Sequence, residues 1–220
     1  MKILVIGAHG RVGQRIVNQL NDKGDNVLAG LRDEAQFSTF NGEHITPILL
    51  DIQQTTVAAL SAQMAGVDAV VFSAGAGGGG YDRTMLIDLD GAVKAMQATE
   101  QAGIKRFVMV SAMGTSSRAT WADAIRPYYA AKFYADHWLI HDTALDYTIL
   151  RPSTLSDDSG TGKITINASD KLDNGAKTVS RDDVAAVAVA VLHDDQTVKQ
   201  TISFTGGKTA IQSAIDAAAK

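Results

Sequence analysis

The 220-residue sequence predicts a single α/β domain, a parallel sheet doubly wound with helices on its two faces. Three observations carry that expectation. Short, nearly continuous apolar runs alternate with longer stretches of helical periodicity, as buried parallel strands and their crossovers require. A glycine-rich turn joins the first apolar run directly to the first helical stretch. The composition is that of an ordinary globular chain, 45% hydrophobic and 20% charged, enough to bury a core at this length without covalent staples.

The elements follow in order. Ile3–Ile6 reads as a strand, Arg11–Leu20 as a helix and Asn26–Leu31 as a second strand. Ile45–Leu50, Val57–Ala65 and Asp68–Phe72 repeat the strand–helix–strand pattern. Met85–Ala102 is expected to be one long helix, with Ala92, Ala95, Met96, Ala98 and Thr99 forming its packing face. Arg106–Val110 is a fifth strand, Tyr128–His141 a helix and Tyr147–Leu150 a sixth strand. After Pro152 the pattern loosens. Ser153–Gly175 is polar apart from a short alternating piece at Lys163–Asn167. Ser180 is expected to cap a helix that runs to about Leu192, with the Asp183 carboxylate reaching back to complete the box. Gln200–Phe204 and Thr209–Ala219 close the chain.

Composition also excludes. The sequence contains no cysteine, which removes disulfide scaffolds, thiol redox chemistry, Cys-ligated zinc and iron–sulfur clusters. The net charge is −4 with no basic stripe, so nucleic acid is not expected as a partner. No apolar run reaches the roughly 18 residues of a membrane span. Met1–Gly7 is too short an apolar stretch for a secretory signal, and a cytoplasmic location is expected. His137 and His141 stand four residues apart on one helix. The residues between them are Trp138-Leu139-Ile140, with no glutamate to act as a zinc hydrolase's base, so no metal site is expected. The aromatic cluster of Trp121, Tyr128, Tyr129, Phe133, Tyr134 and Trp138 reads as core and pocket wall.

The turn after the first strand is Gly7-Ala8-His9-Gly10-Arg11-Val12-Gly13. Here the chain must turn sharply and let a diphosphate approach backbone amides at a helix N-terminus. Gly7 serves the turn, Gly10 clears the phosphate path and Gly13 lets helix and strand pack closely, which makes the fold Rossmann-like. His9 and Val12 share this loop. Arg11 is a candidate phosphate contact. Gly207-Lys208-Thr209 is not a rival triphosphate loop, because Ile202 occupies the position of the leading glycine. The second strand ends in Arg32-Asp33. A guanidinium there suits a 2′-phosphate and a carboxylate suits a free ribose hydroxyl, so NADP is expected with NAD left open. Asp51, followed by Ile52, is placed either for adenine edges or as a helix N-cap ahead of Thr55 and Thr56. Ser73-Ala74-Gly75 opens a glycine run to Gly80 beside the expected ligand crevice, between strands one and four of an order 3-2-1-4-5.

These segments resemble the short-chain dehydrogenase/reductase superfamily, and more closely its compact, atypical, NmrA-like branch. The resemblance covers nearly the whole chain. It rests on Gly7–Gly13, Arg32, Ser73-Ala74-Gly75, Phe107-Val108-Met109-Val110-Ser111 and Tyr128-Tyr129-Ala130-Ala131-Lys132. It continues through Tyr147-Thr148-Ile149-Leu150-Arg151-Pro152 and Ser180-Arg181-Asp182-Asp183-Val184-Ala185. The resemblance implies reduction of a small carbonyl, quinone or flavin-like acceptor, with Tyr128 as acid, Lys132 as its tuner and ribose binder, and Ser111 orienting the substrate oxygen. Tyr128 and Lys132, four apart, share a helix face. An ammonium beside the phenol favours phenolate. Pro152 belongs to a loop that in the family passes the nicotinamide and leads into a substrate segment, here Thr154–Gly162. Arg151 reads as a strand-end surface charge or a substrate contact. The sequence departs from the family at Asp88, which stands ahead of Gly91 where orthodox members have the asparagine of a proton relay, and at Ser73, where they have asparagine. Residues 1–150 are then the cofactor-binding core and 151–220 a substrate-side segment. A non-catalytic dinucleotide sensor and an epimerase or dehydratase remain alternatives, though the chain lacks the larger substrate domain of sugar-nucleotide epimerases. Neither the oligomeric state nor the substrate's identity follows from the sequence.

Overall fold

The computed structural model describes residues 1–166, 169–170 and 178–218. Strands β1 (Lys2–Ile6), β2 (Asn26–Leu31), β3 (Ile45–Leu49), β4 (Ala69–Phe72), β5 (Arg106–Val110) and β6 (Asp146–Pro152) pair in parallel in the order β3-β2-β1-β4-β5-β6. β7 (Leu155–Ser156) and β9 (Val179–Ser180) make a separate parallel pair. Beyond β6 the main sheet continues through β10 (Gln200–Gly206), parallel to it, and then through antiparallel β8 (Lys163–Ile166) and β11 (Thr209–Ala210). Asn167 and Ala219, within the expected elements, lie outside the described residues.

Alternating side chains of each central strand enter two cores. Ile3 and Val5 of β1, Ala69 and Val71 of β4, and Val108 of β5 face one side. There they meet α1 (Arg11–Asp22), α6 (Arg181–Leu192) and α7 (Ile211–Ala218). Leu4 and Ile6, Val70 and Phe72, and Phe107 and Met109 face the other. Their partners are α2 (Val57–Gln63), α4 (Asp90–Gln101) and α5 (Arg126–His141). Burial on both faces is why the strands read as unbroken apolar runs rather than as alternating ones.

Three local expectations are corrected. The helix over Met85–Ala102 is α-helical only as α4; ahead of it a single turn, α3 (Tyr81–Arg83), leads into a π-helical stretch at Thr84–Leu89. The wider winding buries Thr84, Ile87 and Asp88 together, a device common at functional sites. Ser180 does cap α6 by accepting the Asp183 N–H at 3.0 Å. The Asp183 carboxylate does not reach back, however; it accepts the Thr161 and Gly162 N–H groups instead and ties the β7–β8 connection to the helix. The N-cap of α2 is Thr56, not Asp51.

Candidate functional site

The chain reverses direction across the sheet between β1 and β4, and a cavity of about 300 Å³ opens at their C-terminal ends, where ligands of such sheets bind. Gly7 has φ +84°, and a Cβ there would lie 2.6 Å from the Ala74 backbone. A Cβ at Gly13 would lie 2.2 Å from the Gly7 carbonyl oxygen. The two glycines therefore let the loop, α1 and the β4 end converge. Gly10 is the N-cap of α1, and among the described residues no side chain caps that helix end. Its first amides are thus left for an anion, helped by the helix dipole.

The cavity wall collects His9 and Gly10 from this loop, Arg32 after β2, Asp51 and Ile52 after β3, and Ser73, Ala74 and Gly75 after β4. Asp51 is braced by accepting the Gln53 N–H at 2.9 Å. Asp33 turns elsewhere, capping a short 3-10 helix through the Ala35 N–H. Arg32 alone of that pair thus lines the cavity. Other expected contacts lie off it. Val12 is core, Arg11 forms an exposed ion pair with Asp157 at 2.7 Å, and Pro152 is buried beside Phe204 in the sheet.

Two wall residues had no sequence signal. Gln36 and Arg83 line the cavity, and Gln36 Oε1 and Arg83 Nε are buried without hydrogen-bond partners among the described residues. Unpaired buried polar atoms are costly unless a ligand completes them. With the bare amides of α1, these donors and acceptors fit a dinucleotide.

A second set of polar residues lies at the ends of β5 and β6 and on α5, and it closes on itself. Lys132, 4% exposed, pairs with Asp88 at 3.1 Å and donates to the Val110 carbonyl at 3.3 Å. The other Asp88 oxygen accepts the Ala76 N–H at 2.8 Å. Asp88 therefore ties the glycine run to Lys132. Ser111 donates to Asp136 at 3.0 Å. Arg151 is not a surface charge: it is buried, with Nε 2.9 Å from the same Asp136 oxygen and a second nitrogen 3.2 Å from Asp170. Asp170 in turn accepts from Ser203 and from the Gly114 and Ser116 N–H groups. As expected for residues four apart on α5, the Lys132 ammonium lies 5.9 Å from the Tyr128 ring centroid.

The electrostatics correct the phenolate expectation. Burial, followed by the Asp88 and Asp136 charges, raises the Tyr128 pKa against the opposing pull of Lys132. Burial works against the charge on Lys132, but Asp88, Tyr128 and Asp136 together outweigh it and hold its pKa above the ordinary value. The ammonium still pulls the phenol's pKa down, but burial outweighs it and the Asp88 and Asp136 charges add to the rise. Burial also raises the Asp136 pKa, with Arg151 and Ser111 opposing; its second oxygen is buried and unpartnered among the described residues. Ser111 and Lys132, expected from the sequence to face substrate and ribose, instead direct their polar atoms to carboxylates.

The discounted features also have places. His137 and His141 lie 4.3 Å apart between ring centroids, tilted at 45°, on an exposed face, and no group of three metal-ligating side chains occurs among the described residues. Trp121 and Tyr129 are buried, whereas Tyr134 and Trp138 are exposed, so the aromatic cluster is only partly core. No described helix is long and apolar enough to cross a membrane.

Known proteins match this arrangement along its length. A model of a family described as NAD(P)H-binding matches residues 7–195. The chain is 41% identical over 217 residues to an uncharacterized sugar epimerase of Bacillus subtilis, covering 98% of this chain and 99% of the relative. A Saccharomyces cerevisiae protein is 42% identical over 216 residues, 94% of each chain. The crystal structure of an oxidoreductase from Lactococcus lactis superposes with a TM-score of 0.90 at 33% identity, covering 99% of this chain and 96% of that one.

Proposed function

We propose, from the premise that this chain belongs to the NAD(P)H-binding family, that it is an oxidoreductase that binds NADP(H) and reduces a small carbonyl, quinone or flavin-like acceptor. The observation that carries the reading is the cavity between β1 and β4, walled by bare glycine backbone, Arg32 and buried polar atoms that have no partner among the described residues. The α1 amides would hold the diphosphate, and Arg32 favours a 2′-phosphate over a free hydroxyl. Asp51 and Ile52 would meet the adenine, and Ser73-Ala74-Gly75 would run beside the nucleotide. When bound, the dinucleotide supplies the hydride. The chain's own part is to hold the acceptor and deliver a proton. Tyr128 is the acid: its raised pKa keeps the phenol protonated through neutrality, the state a donor needs. Lys132, held by Asp88, positions that face of α5. Residues 151–220 supply the substrate side in this reading, and the NmrA-like branch of the short-chain reductases is the subgroup it implies.

NADPH oxidation against aldehyde, quinone and flavin acceptors tests the reading, with NADPH and NADH titrated in parallel. Turnover that Tyr128→Phe lowers at least about 100-fold is expected for loss of a positioned acid. Tighter NADH binding would overturn the cofactor preference. A second reading has its own observation: Ser111 and Lys132 are both engaged by carboxylates, which takes them from substrate and ribose and leaves room for a protein that binds the dinucleotide without reducing an acceptor. It is favoured if both coenzymes bind and no acceptor is reduced. Sugar nucleotides are assayed separately for epimerisation, which consumes no net NADPH, because the Bacillus subtilis relative is described as a sugar epimerase.

A further inference from the structure

Arg83 lines the nucleotide cavity, three residues beyond the run Gly77–Gly80. Three features place it there. First, both ends of the run are fastened. Ala76 donates its N–H to Asp88 at 2.8 Å, and the N–H and hydroxyl of Thr84 both reach the Gly80 carbonyl at 3.1 Å. The Gly79 N–H closes the turn onto the Ala76 carbonyl, also at 3.1 Å. Second, the absence of a side chain at Gly79 makes room for the arginine. A Cβ there would lie 2.6 Å from Arg83 Cδ and 3.1 Å from Nε. Third, among the described residues Arg83 Nε is buried with no hydrogen-bond partner, and no ion pair holds the guanidinium there.

A guanidinium held in a wall, desolvated at Nε and lacking a carboxylate, is matched by a planar or tetrahedral oxyanion. The same cavity presents Arg32 and Arg83 against one carboxylate, Asp51, which already accepts a backbone amide. We infer that Arg83 is a second phosphate-binding cation of the coenzyme site, taking a phosphate of the dinucleotide through its unpaired Nε–H and an adjacent N–H. The inference deepens the proposed function and rests on it. The phosphate is either the pyrophosphate or the 2′-phosphate, and the experiment separates them.

The test is equilibrium binding of NADPH and NADH to the full chain by fluorescence titration, at low and high salt, without any acceptor. Arg83→Gln is expected to weaken binding about tenfold or more, the scale of a lost charged hydrogen bond. Equal weakening of both coenzymes assigns the pyrophosphate, and weakening of NADPH alone assigns the 2′-phosphate. Arg83→Lys should recover part of the loss. Gly79→Ala keeps the charge but displaces it, and should weaken the same coenzyme or coenzymes about threefold or more. Arg83→Gln should leave the melting temperature of the unliganded protein unchanged; if it does not fold, Gly79→Ala decides the question. Binding by Arg83→Gln within twofold of wild type for both coenzymes overturns the inference while leaving the proposed function standing. Wild-type protein that binds neither coenzyme overturns both.

Discussion

The two halves of the site are built on opposite principles. Between β1 and β4, the cavity is made from what is missing: no Cβ at Gly7 or Gly13 and, among the described residues, no side-chain cap on α1 and no partner for Gln36 Oε1 or Arg83 Nε. Around the ends of β5 and β6, Lys132 pairs with Asp88, and Ser111, Asp136, Arg151 and Asp170 form a neighbouring chain of short polar contacts. The first half is incomplete without a ligand. The second is nearly complete without one. Unsatisfied groups held in a rigid wall are ready to bind, because the cost of arranging them was met on folding. A closed buried network instead fixes one geometry, and it reacts strongly to the loss of any member.

The sharpest way to break that contrast is in the closed half. Asp88→Ala leaves the Lys132 ammonium buried and unpaired, and should destabilise the protein by about 3–5 kcal/mol in urea unfolding. Adding Lys132→Met should restore part of the loss, since a buried pair replaced by apolar groups costs less than half a pair. The pH dependence has a definite sign. The folded-state pKa of Lys132 is raised, so the pair's contribution is full below the ordinary lysine value and is lost as pH rises through the higher folded one. Asp88→Ala should remove that alkaline step. In the open half the largest effect comes from filling an absence. Gly13→Ala puts a Cβ 2.2 Å from the Gly7 carbonyl oxygen, and the loop must shift. A loss of about 1–3 kcal/mol is expected on thermal unfolding, the usual range for overpacking, together with weakened coenzyme binding. Normal NADPH binding by Gly13→Ala would contradict the tight convergence of loop, helix and strand.

Tyr128 lies beside Lys132 of the closed half, 5.9 Å from its ammonium to the ring centroid. Its phenol, raised by burial and by the Asp88 and Asp136 charges, should ionise above the ordinary tyrosine value of about 10. Ultraviolet difference titration of wild type against Tyr128→Phe isolates that step. A reduction rate limited by this acid should show no fall assignable to Tyr128 as pH rises through neutrality. A phenolate signal near neutral pH, lost in Tyr128→Phe, would mean that Lys132 escapes its carboxylate and tunes the phenol after all.

The open half is legible in the sequence for the same reason that it is open. Glycines at 7, 10 and 13 between a strand and a helix report backbone geometry directly, and backbone geometry is local. Parallel burial likewise leaves its mark in the apolar runs. The closed half depends on contacts between residues distant in sequence. Asp136 meets Ser111 across 25 positions, and Asp170 meets Gly114 across 56. Nothing in the local pattern at Arg151 distinguishes a buried cation from a strand-end surface charge. The Tyr128–Lys132 spacing does put both on one helix face, yet it carries no information about the burial that outweighs the pull of Lys132 on the phenol, or about Asp88, whose carboxylate adds to the rise. Arg83 is hidden for another reason. The π-helical winding at Thr84–Leu89 and the room left by Gly79 decide where that side chain goes, and neither has a sequence signature.

Arg11 offers the finest test of where the open half ends. Its place in the glycine loop suggests a phosphate contact, but its guanidinium lies in an exposed ion pair with Asp157, which Arg181 shares at 2.8 Å. Surface pairs of this kind contribute little, because water already solvates both charges. Arg11→Gln should therefore change stability by about 0.5 kcal/mol at most, and coenzyme affinity by less than about threefold. The comparison with Arg83→Gln is the informative one. Both substitutions remove one positive charge near the same ligand, so a long-range electrostatic effect would weaken binding to similar degrees and fade together with salt. A contact made in the wall would separate them, Arg83 losing affinity that added salt only partly equalises. Equal losses would mean that the cavity attracts the dinucleotide by its overall field rather than through the particular donors left unpaired within it.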